Sequence, residues 1–123
     1  MKNILVVEDN ENNMYLISFI IEKMGHRPIQ ARSGEEGVER AERERPDLIL
    51  MDIQLPGIDG LETTRRIRAS TVGINPPIIA ITSFVMTGDR ERLLAAGCNG
   101  YIEKPIDPET IMEEIAAYLV QDK

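Results

Sequence analysis

The sequence predicts an α/β fold: a doubly wound, five-stranded parallel sheet of order 2-1-3-4-5 flanked by five helices, forming one domain over residues 1–123. Two observations carry this expectation. Five short apolar runs alternate with longer segments whose apolar residues recur at helical spacing, and strand-helix alternation implies parallel strands joined by crossover helices. Three of the runs are apolar at consecutive positions rather than at every second one, as expected of strands covered on both faces. Right-handed crossovers then make 2-1-3-4-5 the preferred order for five strands.

The first strand is Ile4-Leu5-Val6-Val7. Met14, Ile17, Ile20, Ile21 and Met24 follow at steps of three and four, an amphipathic helix closed by Gly25. Pro28-Ile29-Gln30-Ala31 is the second strand. The second helix opens at Ser33 with Glu36 three residues on, a capping-box pair, and sets Val38 and Ala41 on one face. Leu48 to Met51 is the third strand, and a helix carrying Leu61, Thr64, Ile67 and Arg68 follows "PGIDG". Ile78-Ile79-Ala80-Ile81 is the fourth strand, followed by a helix from about Thr87 to Ala96 that stops at Gly97. Gly100-Tyr101-Ile102 is the weakest strand signal. The last helix has Asp107 as N-cap, Pro108 at its first position, and Ile111, Ile115 and Leu119 spaced four apart.

A net charge of -7 argues against nucleic acid or an anionic membrane as the main partner, since both reward clustered Lys and Arg. The only cysteine, Cys98, excludes an internal disulfide and a CxxC metal site, which suits a reducing compartment. The N-terminal apolar run is too short for a signal-peptide core, and no stretch is long enough to span a bilayer. The expected location is cytoplasmic.

The strand ends carry the chemistry. In a doubly wound sheet, ligands sit beyond the carboxyl ends of the strands where the order reverses, here between the first and third strands. The first strand runs into Glu8-Asp9, the third into Asp52, the fourth into Thr82-Ser83 and the fifth into Glu103-Lys104-Pro105. Taken singly, these are ordinary strand-end residues; on one edge, three carboxylates repel one another and require a cation. Lys104 supplies one positive charge. Oxygen-only donors with places left for water favour Mg2+ as the other, and the lack of nearby His or Cys disfavours zinc. Such a site suits phosphoryl transfer, with Asp52 as the nucleophile.

"ILVVEDN", "LILMDIQLPGIDG", "IIAITS" and "YIEKPID", in this order and spacing, resemble the receiver domain of two-component response regulators over essentially the whole chain. The likeness is to stand-alone regulators and to receivers attached to hybrid histidine kinases. It implies a flavodoxin-like fold in which Asp52 accepts a phosphoryl group from a histidine kinase or a histidine phosphotransfer protein. By the same resemblance Glu8 and Asp9 are the acidic pair for Mg2+, with Asp9 and Asp52 as direct ligands and the Gln54 carbonyl as a third. Glu8 stands where aspartate is commoner, which leaves it to act through water. Lys104 and Thr82 contact the phosphoryl group, the Lys104-Pro105 peptide is cis, and Tyr101 turns inward with Thr82. Gln54 and Phe84 stand where the family tunes acyl-phosphate lifetime. The face of the fourth helix, fifth strand and fifth helix is then read by a downstream protein effector.

The alternative of another class is a phosphate-independent protein-binding module of the same fold. Intact Asp9, Asp52, Thr82 and Lys104 argue against it. A flavin protein is disfavoured because Asp9-Asn10-Glu11-Asn12-Asn13 is no Ser/Thr/Gly-rich phosphate loop, and a phosphatase because Asp52-Ile53-Gln54 lacks a second aspartate. Asp59 and Asp107 read as caps, His26 as a turn residue, Met14, Met24, Met51, Met86 and Met112 as filling, and Arg65, Arg66 and Arg68 as a solvated helix face.

Overall fold

The structure, a computed structural model, describes residues 1–70, 76–83 and 88–120. The chain runs β1 (Asn3–Val7), α1 (Glu11–Lys23), β2 (Arg27–Ala31), α2 (Gly34–Glu44), β3 (Leu48–Asp52), α3 (Gly60–Ser70), β4 (Ile78–Thr82), α4 (Asp89–Ala96), β5 (Gly100–Glu103) and α5 (Pro108–Val120). All neighbours pair in parallel, and the sheet order is β2-β1-β3-β4-β5, as the sequence predicts.

Consecutive apolar residues in β1, β3 and β4 divide between two cores because successive side chains leave opposite faces of the pleat. Leu5, Val7, Ile49, Met51, Ile78 and Ala80 pack with residues of α2, α3 and α4. Ile4, Val6, Leu48, Leu50, Ile79 and Ile81 pack with residues of α1 and α5. Among the described residues no helix is long and apolar enough to cross a membrane.

The helix starts follow from local chemistry. Asn10 caps α1, its side chain accepting the Asn13 N–H at 2.9 Å, and Ser33 caps α2 by accepting the Glu36 N–H at 3.1 Å. Glu36 reaches back one residue further than an ideal capping box, to the Arg32 N–H at 2.7 Å. Asp59 caps α3 by accepting the Glu62 N–H at 2.9 Å, while the Asp107 side chain, just ahead of α5, accepts the Thr110 hydroxyl at 2.8 Å. His26 Nδ1 accepts the Lys2 N–H at 3.1 Å, as suits a turn residue. The fourth helix begins at Asp89 with Gly88 as its N-cap and no side-chain cap; Thr87, its expected start, lies outside the described residues, as do Phe84 and Met86.

One expectation is corrected. Arg68 is not part of a solvated helix face. Its guanidinium donates to the carbonyl oxygens of Gly97 and Pro76 and to Asn99 Oδ1 at 2.8 to 3.0 Å, tying α3 to the chain ends before β4 and β5. Burial pushes its pKa below the ordinary arginine value. Arg65 and Arg66 remain exposed and pair with Glu62 on their own helix.

Candidate functional site

The pleat that divides the core also builds the site. Ile4 and Val6 point to the α1 and α5 layer, so Glu8, two residues on, continues their row; Asp52 continues Leu48 and Leu50, and Lys104 continues Ile102. Backbone hydrogen bonds extend the ladder to these positions, from Glu8 N to the Ala31 carbonyl at 3.0 Å and from Lys104 N to the Thr82 carbonyl at 2.8 Å. Two carboxylates and an ammonium therefore stand just past the last apolar layer.

Asp52 is 1% exposed. One of its oxygens, Oδ1, accepts Lys104 Nζ at 3.1 Å and the Gln54 N–H at 3.0 Å. Glu8 is equally buried and accepts the Asn10 N–H on Oε2 at 3.1 Å. Burial pushes its carboxyl up to about 7; the Asn10 N–H opposes the rise, the charge of Asp52 adds to it, and Lys104 lowers it. Asp9 is exposed at the rim, and carboxylate oxygens of Glu8, Asp9 and Asp52 lie within 4.8 Å of one another.

This donor set fits a hard divalent cation. Among the described residues no N–H or O–H donor meets the buried oxygen Glu8 Oε1, which is costly unless a proton shared with Asp52, a cation or its water meets it. All three side-chain donors are oxygens, the choice of Mg2+ rather than zinc.

The other residues singled out from sequence divide around this centre. Thr82 is buried and lies on the far face of the pleat, lining a cavity of about 140 Å³ with Ile53, Gln54, Leu61 and α4 residues. Tyr101 is half-buried against the α2–α4 core, so it shares the Thr82 side of the sheet. The Lys104-Pro105 peptide is cis, and both residues line a second groove with Asn13 and Leu16 of α1. Gln54 Oε1 accepts the Ser83 N–H at 3.2 Å, linking the ends of β3 and β4.

Three contributors have no strong sequence signal. The backbone N–H groups of Asn10 and Gln54 orient the two buried carboxylates, a role any residue type could fill. Gly60 is the third: a Cβ there would meet the Asp52 carbonyl oxygen and lie 2.6 Å from Ile53 Cα, so α3 presses against the end of β3 only because this residue has no side chain. The "PGIDG" motif marks a turn but not that contact.

A family model described as the response regulator receiver domain matches residues 4–116. The polar-differentiation response regulator DivK of Brucella anthropi is 46% identical over 118 residues, spanning 96% of this chain and 96% of that protein. DivK of Brucella abortus matches to the same extent, 46% over 118 residues. A receiver domain of a sensor histidine kinase from Pseudomonas aeruginosa, solved with a magnesium ion coordinated in its active-site cleft, superposes with a TM-score of 0.87 at 39% identity, covering 97% of this chain and 98% of that one. The chemotaxis protein CheY4 of Vibrio cholerae gives a TM-score of 0.91 at 25% identity, over 97% of this chain and 99% of that one.

Proposed function

This chain belongs to the response regulator receiver domain family, and from that premise we propose that it is a phosphorelay switch whose phosphoacceptor is Asp52. The observation that carries the reading is the buried Asp52 carboxylate, held by Lys104 and the Gln54 N–H beside two further carboxylates, one with an oxygen that meets no donor among the described residues. A carboxylate kept rigid at a strand end and partly desolvated is placed to act as a nucleophile.

In this reading a histidine kinase or histidine phosphotransfer protein supplies the phosphoryl group. A carboxylate oxygen of Asp52 forms the new O–P bond as the P–N bond of the phosphohistidine breaks, and the departing imidazole takes up a proton. Glu8, Asp9, Asp52 and the Gln54 carbonyl would hold Mg2+, which when bound neutralises charge on the phosphoryl oxygens. Lys104 holds a phosphoryl oxygen from the other side. The Thr82 hydroxyl is drawn toward the new acceptor oxygens, and Tyr101 follows into the space it leaves. The surface of α4, β5 and α5 then changes, and a protein effector reads it. Gln54 and Phe84 set how fast water removes the group.

We read residues 1–123 as one receiver unit, an interpretation supported by the 96% mutual coverage with DivK. It signals by being modified rather than by turning over a substrate, and it works in the cytoplasm with protein partners rather than nucleic acid or membrane.

The test is to mix the protein with Mg2+ and a small acyl-phosphate donor and follow intact mass. A gain of one phosphoryl group, abolished by chelator and by Asp52→Ala, is expected. No gain in a folded sample that also refuses phosphate from a histidine kinase would overturn the proposal in favour of a phosphate-independent binding module.

A further inference from the structure

One face of α1 is used neither by the core nor by the acidic site. Glu11, Tyr15, Phe19 and Lys23 are spaced four apart and all exposed, so they form a single ridge along the helix. Tyr15 is 73% and Phe19 47% exposed, and their rings stack with centroids 6.3 Å apart, making a contiguous aromatic patch rather than two scattered side chains. Lys23 Nζ lies 5.8 Å from the Phe19 ring centroid, which continues the ridge to its basic end. The ridge therefore reads acid, aromatic, aromatic, base.

That order complements itself when reversed. We propose that a second copy of this chain docks here, the two α1 helices packing antiparallel about a two-fold axis between Tyr15 and Phe19. Glu11 then faces Lys23 of the second copy, and Tyr15 faces Phe19, at both ends of the contact. An isologous interface needs a patch complementary to itself, and this charge order supplies it. Ridges spaced by four pack into one another at the commonest helix crossing angle, near -50°. Antiparallel packing also brings the positive end of each helix dipole to the negative end of the other.

Charge also selects this face for a like partner. The chain carries a net charge of -7, so most approaches between two copies are repulsive. The α1 ridge is neutral and bears both signs. Glu11 already accepts Arg32 Nε on Oε1 at 2.6 Å, and a carboxylate has a second oxygen to offer a lysine across the interface. The contact is small, so the association is expected to be weak and concentration-dependent.

Sedimentation equilibrium from micromolar to millimolar protein tests the proposal. The wild type should show a monomer-dimer equilibrium. Lys23→Glu should weaken it about tenfold or more by setting two acids opposite each other, Glu11→Lys should weaken it by setting two bases opposite, and the double swap should restore most of the loss. Phe19→Glu should abolish the dimer while leaving the far-ultraviolet dichroism unchanged. A monomer throughout the range, a dimer indifferent to these changes, or a double swap no better than the singles would overturn the proposal, the first leaving the patch to a different protein partner.

Discussion

Lys104 and Asp52 meet through a single oxygen: the lysine ammonium lies 3.1 Å from Asp52 Oδ1, the atom that also accepts the Gln54 N–H. The lysine thus offsets part of the negative charge of the cluster while leaving its outer side, where Asp9 stands, facing solvent. Replacing Lys104 with methionine keeps its stem and removes its charge. Phosphoryl uptake from a small donor is expected to fall about 100-fold. Mg2+ binding, measured by titration calorimetry, should tighten, because the remaining carboxylates lose their competing cation. Loss of both together would show instead that the site had collapsed.

Glu8 gives a pH dependence with a defined sign. Its carboxyl is raised from 4.5 to about 7, so without metal the folded protein retains a proton that the unfolded chain sheds. Stability that depends on this group is therefore present below the unfolded value and lost as pH rises through about 7. Glu8→Gln, neutral at every pH, should be close to the wild type at pH near 5 and more stable than it at pH near 8, by up to about 3 kcal/mol in chelator. Urea unfolding of the two proteins at both pH values checks this. Mg2+ should stabilise the wild type more at the higher pH, since binding must otherwise displace the proton.

Gly60→Ala reverses an ordinary expectation. Gly60 opens α3 without a positive φ, and at such a position glycine to alanine usually stabilises by about 0.4–1 kcal/mol. Here the added methyl runs into the Asp52 carbonyl and Ile53 backbone. A loss of about 1–3 kcal/mol is expected, as for overpacking against atoms that cannot move aside. Phosphoryl uptake should fall as well, because the backbone pushed out of place carries Asp52. A stabilised variant with unchanged uptake would refute the close approach.

Arg68 is expected to matter for stability and not for chemistry. Arg68→Met leaves the carbonyls of Gly97 and Pro76 without their guanidinium donor. The cost should be about 2–3 kcal/mol in denaturant unfolding, the range for stranding acceptors bonded to a charged donor. Phosphoryl uptake under native conditions should stay within about twofold of wild type.

The fold and most of the candidate site were legible because both rest on local signals. Consecutive apolar residues locate Leu48 to Met51 as a covered strand, and the position after it locates Asp52, with no knowledge of what lies opposite. The order of the sheet followed from connection rules that apply to any such alternation. Arg68 was misread for the opposite reason. Its place on α3 is visible in the sequence, but its acceptors lie 8 and 29 residues away and come within reach only after α4 and β5 are in place. Gly34 and Gly37 were unreadable in the same way: a Cβ at Gly34 would strike Thr63 and Ile58, and one at Gly37 would come to 3.0 Å of Val7. Such contacts are properties of pairs of elements, not of windows of sequence.

The sheet itself separates two tasks. Asp52, Glu8 and Lys104 open toward α1 and α5, while Thr82 and Tyr101 belong to the layer of α2, α3 and α4. Side chains on one side of the hydrogen-bonded sheet do not touch those on the other, so the two layers influence each other only through the backbone and the strand ends. The surface of α4, β5 and α5 draws one helix from each layer, so it borders both sides of the sheet. The two layers meet at the carboxyl edge, where the strands end and α3 presses on the backbone of Asp52.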